Sequence, residues 1–218
     1  MGLEWGRGTD NGSVFAVDVY SAIVLAGGRS SRMGTDKAAL AWKGATLIQH
    51  TVAELSRLFE DVVVVCRAEQ AGVVTGSGAR VVFDDQPFEG PLKALRLGLD
   101  AIKGDVAFAC GCDLPFLNAE LARTLCAMAA GYEAAIPEIE GRLQMLHAAY
   151  YRSCAPALQA MIEAGRHKLQ EVVPRLRARI INEDELRGCN QPLVSFLNVN
   201  TPADYELALR LVEIKARS

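Results

Sequence analysis

Apolar residues along the chain fall into two patterns. Short continuous runs rich in β-branched side chains occur at Tyr20–Leu25 (YSAIVL), Asp61–Cys66 (DVVVVC), Ala79–Phe83 and Val106–Cys110 (VAFAC). Such runs mark strands buried on both faces. Helical spacing holds instead at Leu47, Ile48, Val52, Leu55, Leu58 and Phe59, which predicts an amphipathic helix over Thr46–Phe59. Leu92, Leu95, Leu99 and Ile102 predict a second helix entered through Pro91, and the short polar segment after Cys66 reads as a partial helix. Strand, helix, strand with unbroken rather than alternating apolar runs implies a sheet covered on both sides, hence a parallel α/β core.

The second half repeats these signals. Asn118 caps a helix running to about Ala130, Glu133–Ile136 and Arg142–Tyr150 read as strands, and Ser153–Ala164 reads as a helix stopped at Gly165. Lys168–Val173 is a short helix halted by Pro174, and Val194–Val199 is expected to be the last strand. Thr201 as N-cap, Pro202 in the first turn and Asp204 three residues after the cap specify the start of a final helix.

Composition narrows the class. The 218 residues are 50 % hydrophobic and 22 % charged, which suits a globular enzyme. A formal charge of −3 is too weak to mark a nucleic-acid or membrane binder. No apolar run approaches the roughly 20 residues of a membrane span. The opening MGLEWGRGTDNGS lacks the apolar and basic regions of a secretory signal, and Gly6 breaks the myristoylation pattern. Residues 1–18 are therefore expected to be a disordered lead ahead of one domain over 19–218. Six scattered cysteines read as free, mostly buried thiols in a reducing cytoplasm, since Cys110-Gly111-Cys112 has no second pair to complete a zinc site.

The chemistry concentrates where strands end. After Leu25 come Ala26, Gly27 and Gly28, then Arg29, Arg32 and Lys37 set among small residues. Exposed amides with clustered cations suit a polyphosphate. The spacing excludes a P-loop, because no Gly-Lys-Ser/Thr closes the loop, and G-x-G-x-x-G is absent. Asp113 follows the fourth strand, where ligands bind in open α/β sheets, and could hold Mg²⁺ or cap the next turn. The helix start after Gly90 could receive an anion or cap a turn. Arg166, His167 and Lys168 form a basic corner read as solvated. His147, alone in an apolar strand, is read as structural and given no acid–base role. Asn198 and Asn200 lie two apart, on one side of the expected last strand.

L-A-G-G-x-S-x-R-M-G-x-D-K, carried by Leu25 to Lys37, resembles the signature of GT-A-like nucleotidyltransferases, most closely the molybdenum cofactor guanylyltransferases. Asp84 with Gly90-Pro91-Leu92, Cys112-Asp113-Leu114-Pro115, Arg142 to Tyr150, and Asn198-Val199-Asn200-Thr201-Pro202 with Asp204 resemble later motifs of that family in order. The resemblance implies a three-layer α/β/α fold with a mostly parallel sheet, the first half binding nucleotide and the second half acceptor. It implies transfer of GMP from GTP to molybdenum-bearing molybdopterin with release of pyrophosphate, in the cytoplasm, and molybdoenzymes or their chaperones as recipients of the product. Leu25, Ala26, Gly27, Gly28, Lys37, Asp84 and Asp113 would contact nucleotide; Arg32, Lys37 and Asp113 would be catalytic; Asp113 would hold Mg²⁺; Asn198 and Asn200 would meet the acceptor. Two departures stand out: Lys93-Ala94 where the family has Ala-Gly, and Met145 where it has proline. Three alternatives remain: cytidylyl transfer to the same acceptor, a sugar- or isoprenoid-phosphate nucleotidyltransferase, and a GTP-binding regulatory module without chemistry.

Overall fold

The computed structural model describes residues 19–27, 37–85, 90–189 and 193–217; the expected N-terminal lead, Gly28 and Arg32 lie outside them. In chain order the first half comprises β1 (Tyr20–Leu25), the hairpin strands β2 (Ala41–Trp42) and β3 (Ala45–Thr46), α1 (Leu47–Leu55), β4 (Asp61–Cys66), α2 (Ala71–Val74), β5 (Arg80–Phe83), α3 (Pro91–Ala101) and β6 (Val106–Gly111). There follow α4 (Ala119–Met128), β7 (Ala134–Ile139), β8 (Arg142–Leu143), β9 (His147–Tyr151), α5 (Ala155–Glu163), β10 (Ala178–Ile181), α6 (Glu183–Gly188) and α7 (Pro202–Arg217).

The main sheet runs β10-β7-β9-β6-β1-β4-β5, with β8 paired to β7. Among the described residues β9 opposes its neighbours β6 and β7, and β8 opposes β7; the pairs β6–β1, β1–β4, β4–β5 and β10–β7 are parallel. The strand period of two splits each central strand between two cores. Ala22, Val24, Val62, Val64 and Phe108 face Ile48, Val52 and Leu55 of α1 and Leu121 and Leu125 of α4. Ile23, Leu25, Val63, Val65 and Ala109 face Leu92, Leu95 and Leu99 of α3 and Leu158 and Met161 of α5. Each fully buried Val, Leu or Ile contributes about 1.5–3 kcal/mol, so the two cores fix three layers, α/β/α. A smaller cluster of Trp42, Leu47, Val199 and Ala208 seats α7 against the hairpin.

At the amino ends of the strands, the buried Asp61 carboxylate accepts hydrogen bonds from Ser21 Oγ (2.7 Å), the Lys103 amide (2.8 Å) and Arg80 Nη2 (2.6 Å). Burial alone would raise its pKa, but the Lys103 amide, Ser21 and Arg80 together hold it below the usual aspartate value.

Three expectations are corrected. Val194–Val199 is not a strand: Leu193–Phe196 form a 3-10 turn and Leu197–Asn200 are irregular. The turn carries Ser195 inward, where its buried hydroxyl accepts from the distant Asn118 amide at 3.1 Å, a tertiary bond that an outward-facing strand position would not allow. Asn198 and Asn200 therefore share no strand face. Arg142–Tyr150 is two strands rather than one, because the chain turns at Gln144, whose carbonyl takes the His147 amide at 3.1 Å. Pro174 does not halt its helix; it lies within the 3-10 helix Leu169–Arg175.

Candidate functional site

β1, β4, β5 and β6 are parallel, so their carboxyl ends open on one edge of the sheet. Leu25 and Ala26 leave β1 there, Asp84 leaves β5, and Asp113 leaves β6. With neighbouring strands about 4.8 Å apart, the β5 and β6 ends are about 14 Å apart across β4 and β1. The edge thus offers carboxylates at two ends with the glycine segment between them.

At the β6 end three distant parts of the chain meet. Lys37, at the start of a 3-10 turn (Lys37–Ala39), places Nζ 3.1 Å from Asp113 Oδ2 and 2.7 Å from Asn200 Oδ1. The Lys37 and Asp113 side chains are about one-fifth exposed, so the pair is reachable yet mostly shielded from screening water. Backbone fixes both oxygen acceptors. The Val199 amide donates to the Asp113 carbonyl at 2.9 Å, tying the Asn200 segment to the Asp113 loop. The Asn200 and Thr201 amides donate to Asp204 Oδ2 at 2.9 and 2.8 Å, and the Asp204 amide donates back to Thr201 Oγ1. This capping box holds Asn200 at the mouth of α7 and, through the Asn200 amide first, keeps the Asp204 carboxyl below its ordinary pKa.

Gly111 is a site residue that the motif reading passed over. A Cβ there would stand 2.5 Å from Asp113 Oδ1, so only glycine lets the carboxylate fold back over the strand end. Its signal in the sequence is the glycine closing an otherwise apolar run.

The glycine segment is less open than expected in one respect. The Ala26 amide, expected against a nucleotide, donates to the Val65 carbonyl at 2.9 Å, and the Ala26 carbonyl accepts from Gln70 Nε2 at 3.0 Å. Leu25 is 4 % exposed and belongs to the core. Gly27 is exposed, and a Cβ added to it meets nothing within 4 Å among the described residues.

Asp84 stands apart from this cluster. Its amide donates to the Cys66 carbonyl at 2.9 Å, and its carboxylate lies 3.4 Å from Lys93 Nζ in the first turn of α3. Asn198 also separates from Asn200: its Nδ2 donates to the Phe196 carbonyl at 3.2 Å, and it borders a cavity of about 750 Å³ with Ile139, Arg142, Gln144 and Gln170.

His147 is structural. Its ring packs on Phe108 and Phe196, Nε2 lies 3.3 Å from Ser195 Oγ, and burial pushes its pKa down to about 3. A neutral imidazole of that basicity is no general base near neutrality. Among the described residues no three His, Cys, Asp or Glu side chains converge as a metal cluster, and no helix is long and apolar enough to cross a membrane.

A family model, the MobA-like NTP transferase domain, matches residues 22–180. A Pelotomaculum thermopropionicum protein named probable molybdenum cofactor guanylyltransferase is 33 % identical over 193 residues, which cover 88 % of this chain and 93 % of the relative. A Syntrophotalea carbinolica protein named molybdenum cofactor guanylyltransferase is 30 % identical over 188 residues, covering 85 % of this chain and 89 % of its own. Among solved structures, molybdopterin-guanine dinucleotide biosynthesis protein A from Archaeoglobus fulgidus aligns with a TM-score of 0.76 at 27 % identity, covering 88 % of this chain and 98 % of its own.

Proposed function

The chain belongs to the MobA-like NTP transferase family, and from that premise we propose that it transfers GMP from GTP to molybdenum-bearing molybdopterin, yielding the guanine dinucleotide cofactor and pyrophosphate. It is a nucleotidyltransferase with a GT-A-like fold. The observation that carries the site assignment is the meeting of Asp113 Oδ2 and Asn200 Oδ1 on one cation, Lys37 Nζ, at the carboxyl edge of the sheet.

That ammonium acts as a stand-in ion. Two hard oxygens already converge on a positive charge, so Asp113, joined by Asn200, fits Mg²⁺, which is commonly held by one or two carboxylates together with substrate phosphates. When bound, the metal would supply charge neutralisation at the reacting phosphate.

In the reaction the acceptor's terminal phosphate oxygen forms a bond to the α-phosphorus of GTP, and the bond from that phosphorus to the bridging oxygen breaks. The electron pair leaves with pyrophosphate. No enzyme group is covalently modified, so alignment and charge neutralisation are the chain's contributions. Lys37 moves from its carboxylate to the phosphates, Gly27 and Gly28 bring backbone close to the nucleotide, and Arg32 neutralises the triphosphate. Leu25 and Ala26 form the floor beneath it, Ala26 through its shape rather than its amide. Asp84, at the far end of the edge, contacts the guanosine. Residues 19–218 act as one domain, and the second half binds molybdopterin in the cavity bordered by Asn198, Arg142 and Gln144. An acceptor phosphate is already ionised near neutrality, so no strong general base is required. That agrees with a His147 too weakly basic to serve. The six free cysteines suit a reducing cytoplasm, from which product would pass to molybdoenzymes or their chaperones.

The test is pyrophosphate release from each of GTP, CTP, ATP and UTP, with and without molybdopterin. Release from GTP that depends on molybdopterin supports the reading, and preference for another nucleotide, or release indifferent to molybdopterin, refutes it. Asp113→Ala should lose most transfer while melting at an unchanged temperature; near-normal turnover in Mg²⁺ would remove the metal assignment.

A further inference from the structure

Lys93 occupies a place that helix physics disfavours. It lies in the first turn of α3, where the partial positive charge of the helix N-terminus repels a cation, and the N-cap Gly90 supplies no side chain to offset it. Lysine ammonium groups usually reach for water. This side chain is only 13 % exposed, and its Nζ lies 3.4 Å from Asp84 and 3.2 Å from Asp85. Burial pulls the lysine pKa down, yet Asp85 and Asp84 outweigh it and keep the group charged. The two carboxylates differ in kind. Asp85 is 84 % exposed, and an ion pair so open contributes little. Asp84 is 11 % exposed, at the nucleotide edge, where a fixed charge counts for more.

We propose that Lys93 is a positioning residue for base selection: its ammonium, 3.4 Å from Asp84 and largely shielded from water, fixes the orientation of the Asp84 carboxylate that reads the nucleobase. This rests on the guanylyl-transfer reading above and deepens it. For guanine, the two neighbouring donors are the N1–H and the exocyclic N2 amino group, and a carboxylate held in one plane accepts both. Without Lys93 the same carboxylate loses its ammonium partner, so its orientation is less fixed and its charge repels the triphosphate more. Loss of Lys93 should therefore reduce discrimination between bases, rather than affinity alone.

The experiment uses the full chain and titration calorimetry with GTP, ITP (which lacks the N2 amino group), CTP and ATP. The proteins are wild type, Lys93→Met, Lys93→Arg, Asp84→Asn and the Lys93→Met/Asp84→Asn double variant. Lys93→Met keeps the aliphatic stem, and unchanged melting establishes that each variant folds. Lys93→Met should weaken GTP by about tenfold, the weight of one charge-assisted hydrogen bond, and weaken ITP less, so the GTP-to-ITP ratio contracts. Lys93→Arg should restore the ratio, and Lys93→Met should add nothing once Asp84 is Asn. Equal weakening of GTP and ITP, or additive effects in the double variant, would overturn the proposal. A wild-type chain that prefers CTP refutes the guanylyl reading instead, and Lys93 then stands or falls on whether Lys93→Met shifts the CTP-to-GTP ratio.

Discussion

Acidification below the ordinary histidine pKa should destabilise the fold through the buried His147 ring. The folded ring, enclosed by Phe108, Phe196 and Ser195, titrates at about 3, whereas the unfolded chain titrates at the ordinary 6.5. Between those values the unfolded chain binds a proton that the folded chain refuses, so stability falls as pH falls, by about 1.4 kcal/mol per pH unit once well below 6.5. From pH 7.5 to 5.0 the His147 contribution works out to a loss of about 2 kcal/mol. Urea unfolding at the two pH values measures it, with His147→Gln as the partner protein. Glutamine cannot titrate, and its amide can still meet Ser195 Oγ. His50, whose pKa burial also lowers, is common to both proteins and cancels in the comparison. The wild type should lose about 2 kcal/mol more than the variant. Equal losses would show that the folded ring takes up the proton, and the reasoning from burial would be wrong. Guanylyl transfer by the folded variant should persist, because the ring moves no proton in the reaction.

Lys37→Ala should cost about 2–4 kcal/mol of transition-state stabilisation, read as a fall in kcat/KM. A rise in KM at constant kcat would make Lys37 a uniform binder of nucleotide instead. Gly111→Ala, whose methyl would stand 2.5 Å from Asp113 Oδ1, should cut kcat about tenfold or more by displacing the carboxylate, and an unchanged kcat would show that the oxygen has room to move. Asp61→Asn should lower unfolding free energy by about 2–3 kcal/mol, since a buried acceptor of several hydrogen bonds loses its charge. Saturated turnover should stay normal in that variant, because Asp61 lies at the opposite ends of the strands from the site.

The central strands were legible because they are buried on both faces, and a run such as DVVVVC has no other economical reading. β10 was not, since Ala178-Arg179-Ile180-Ile181 is an edge strand with a charge in it and half-exposed neighbours. Nor was α6, six residues with three acids in its first turn and one buried leucine. The Val194–Val199 error has the same root: a short apolar run cannot distinguish a strand from a turn that buries its side chains. At the site, Lys37 was legible as a cation in the small-residue loop, Asp113 as a carboxylate after a strand, and Asn200 through the family motif before the last helix. Their mutual contact was not, because nothing local in the sequence relates positions so far apart. The engaged Ala26 amide was equally invisible, for it depends on where the sheet stops pairing.

Lys37 and Asn200 are 163 residues apart, and their hydrogen bond spans most of the chain. Contacts of such long sequence separation are entropically costly to close and come late, after shorter loops have brought the ends together. The proposed phosphate site is thus a keystone rather than a foundation. A nascent chain, or one shorn of its last helix, would keep much of the sheet and yet lack a complete grip on the phosphates, so nucleotide turnover doubles as a readout of whether the whole polypeptide has been made and folded.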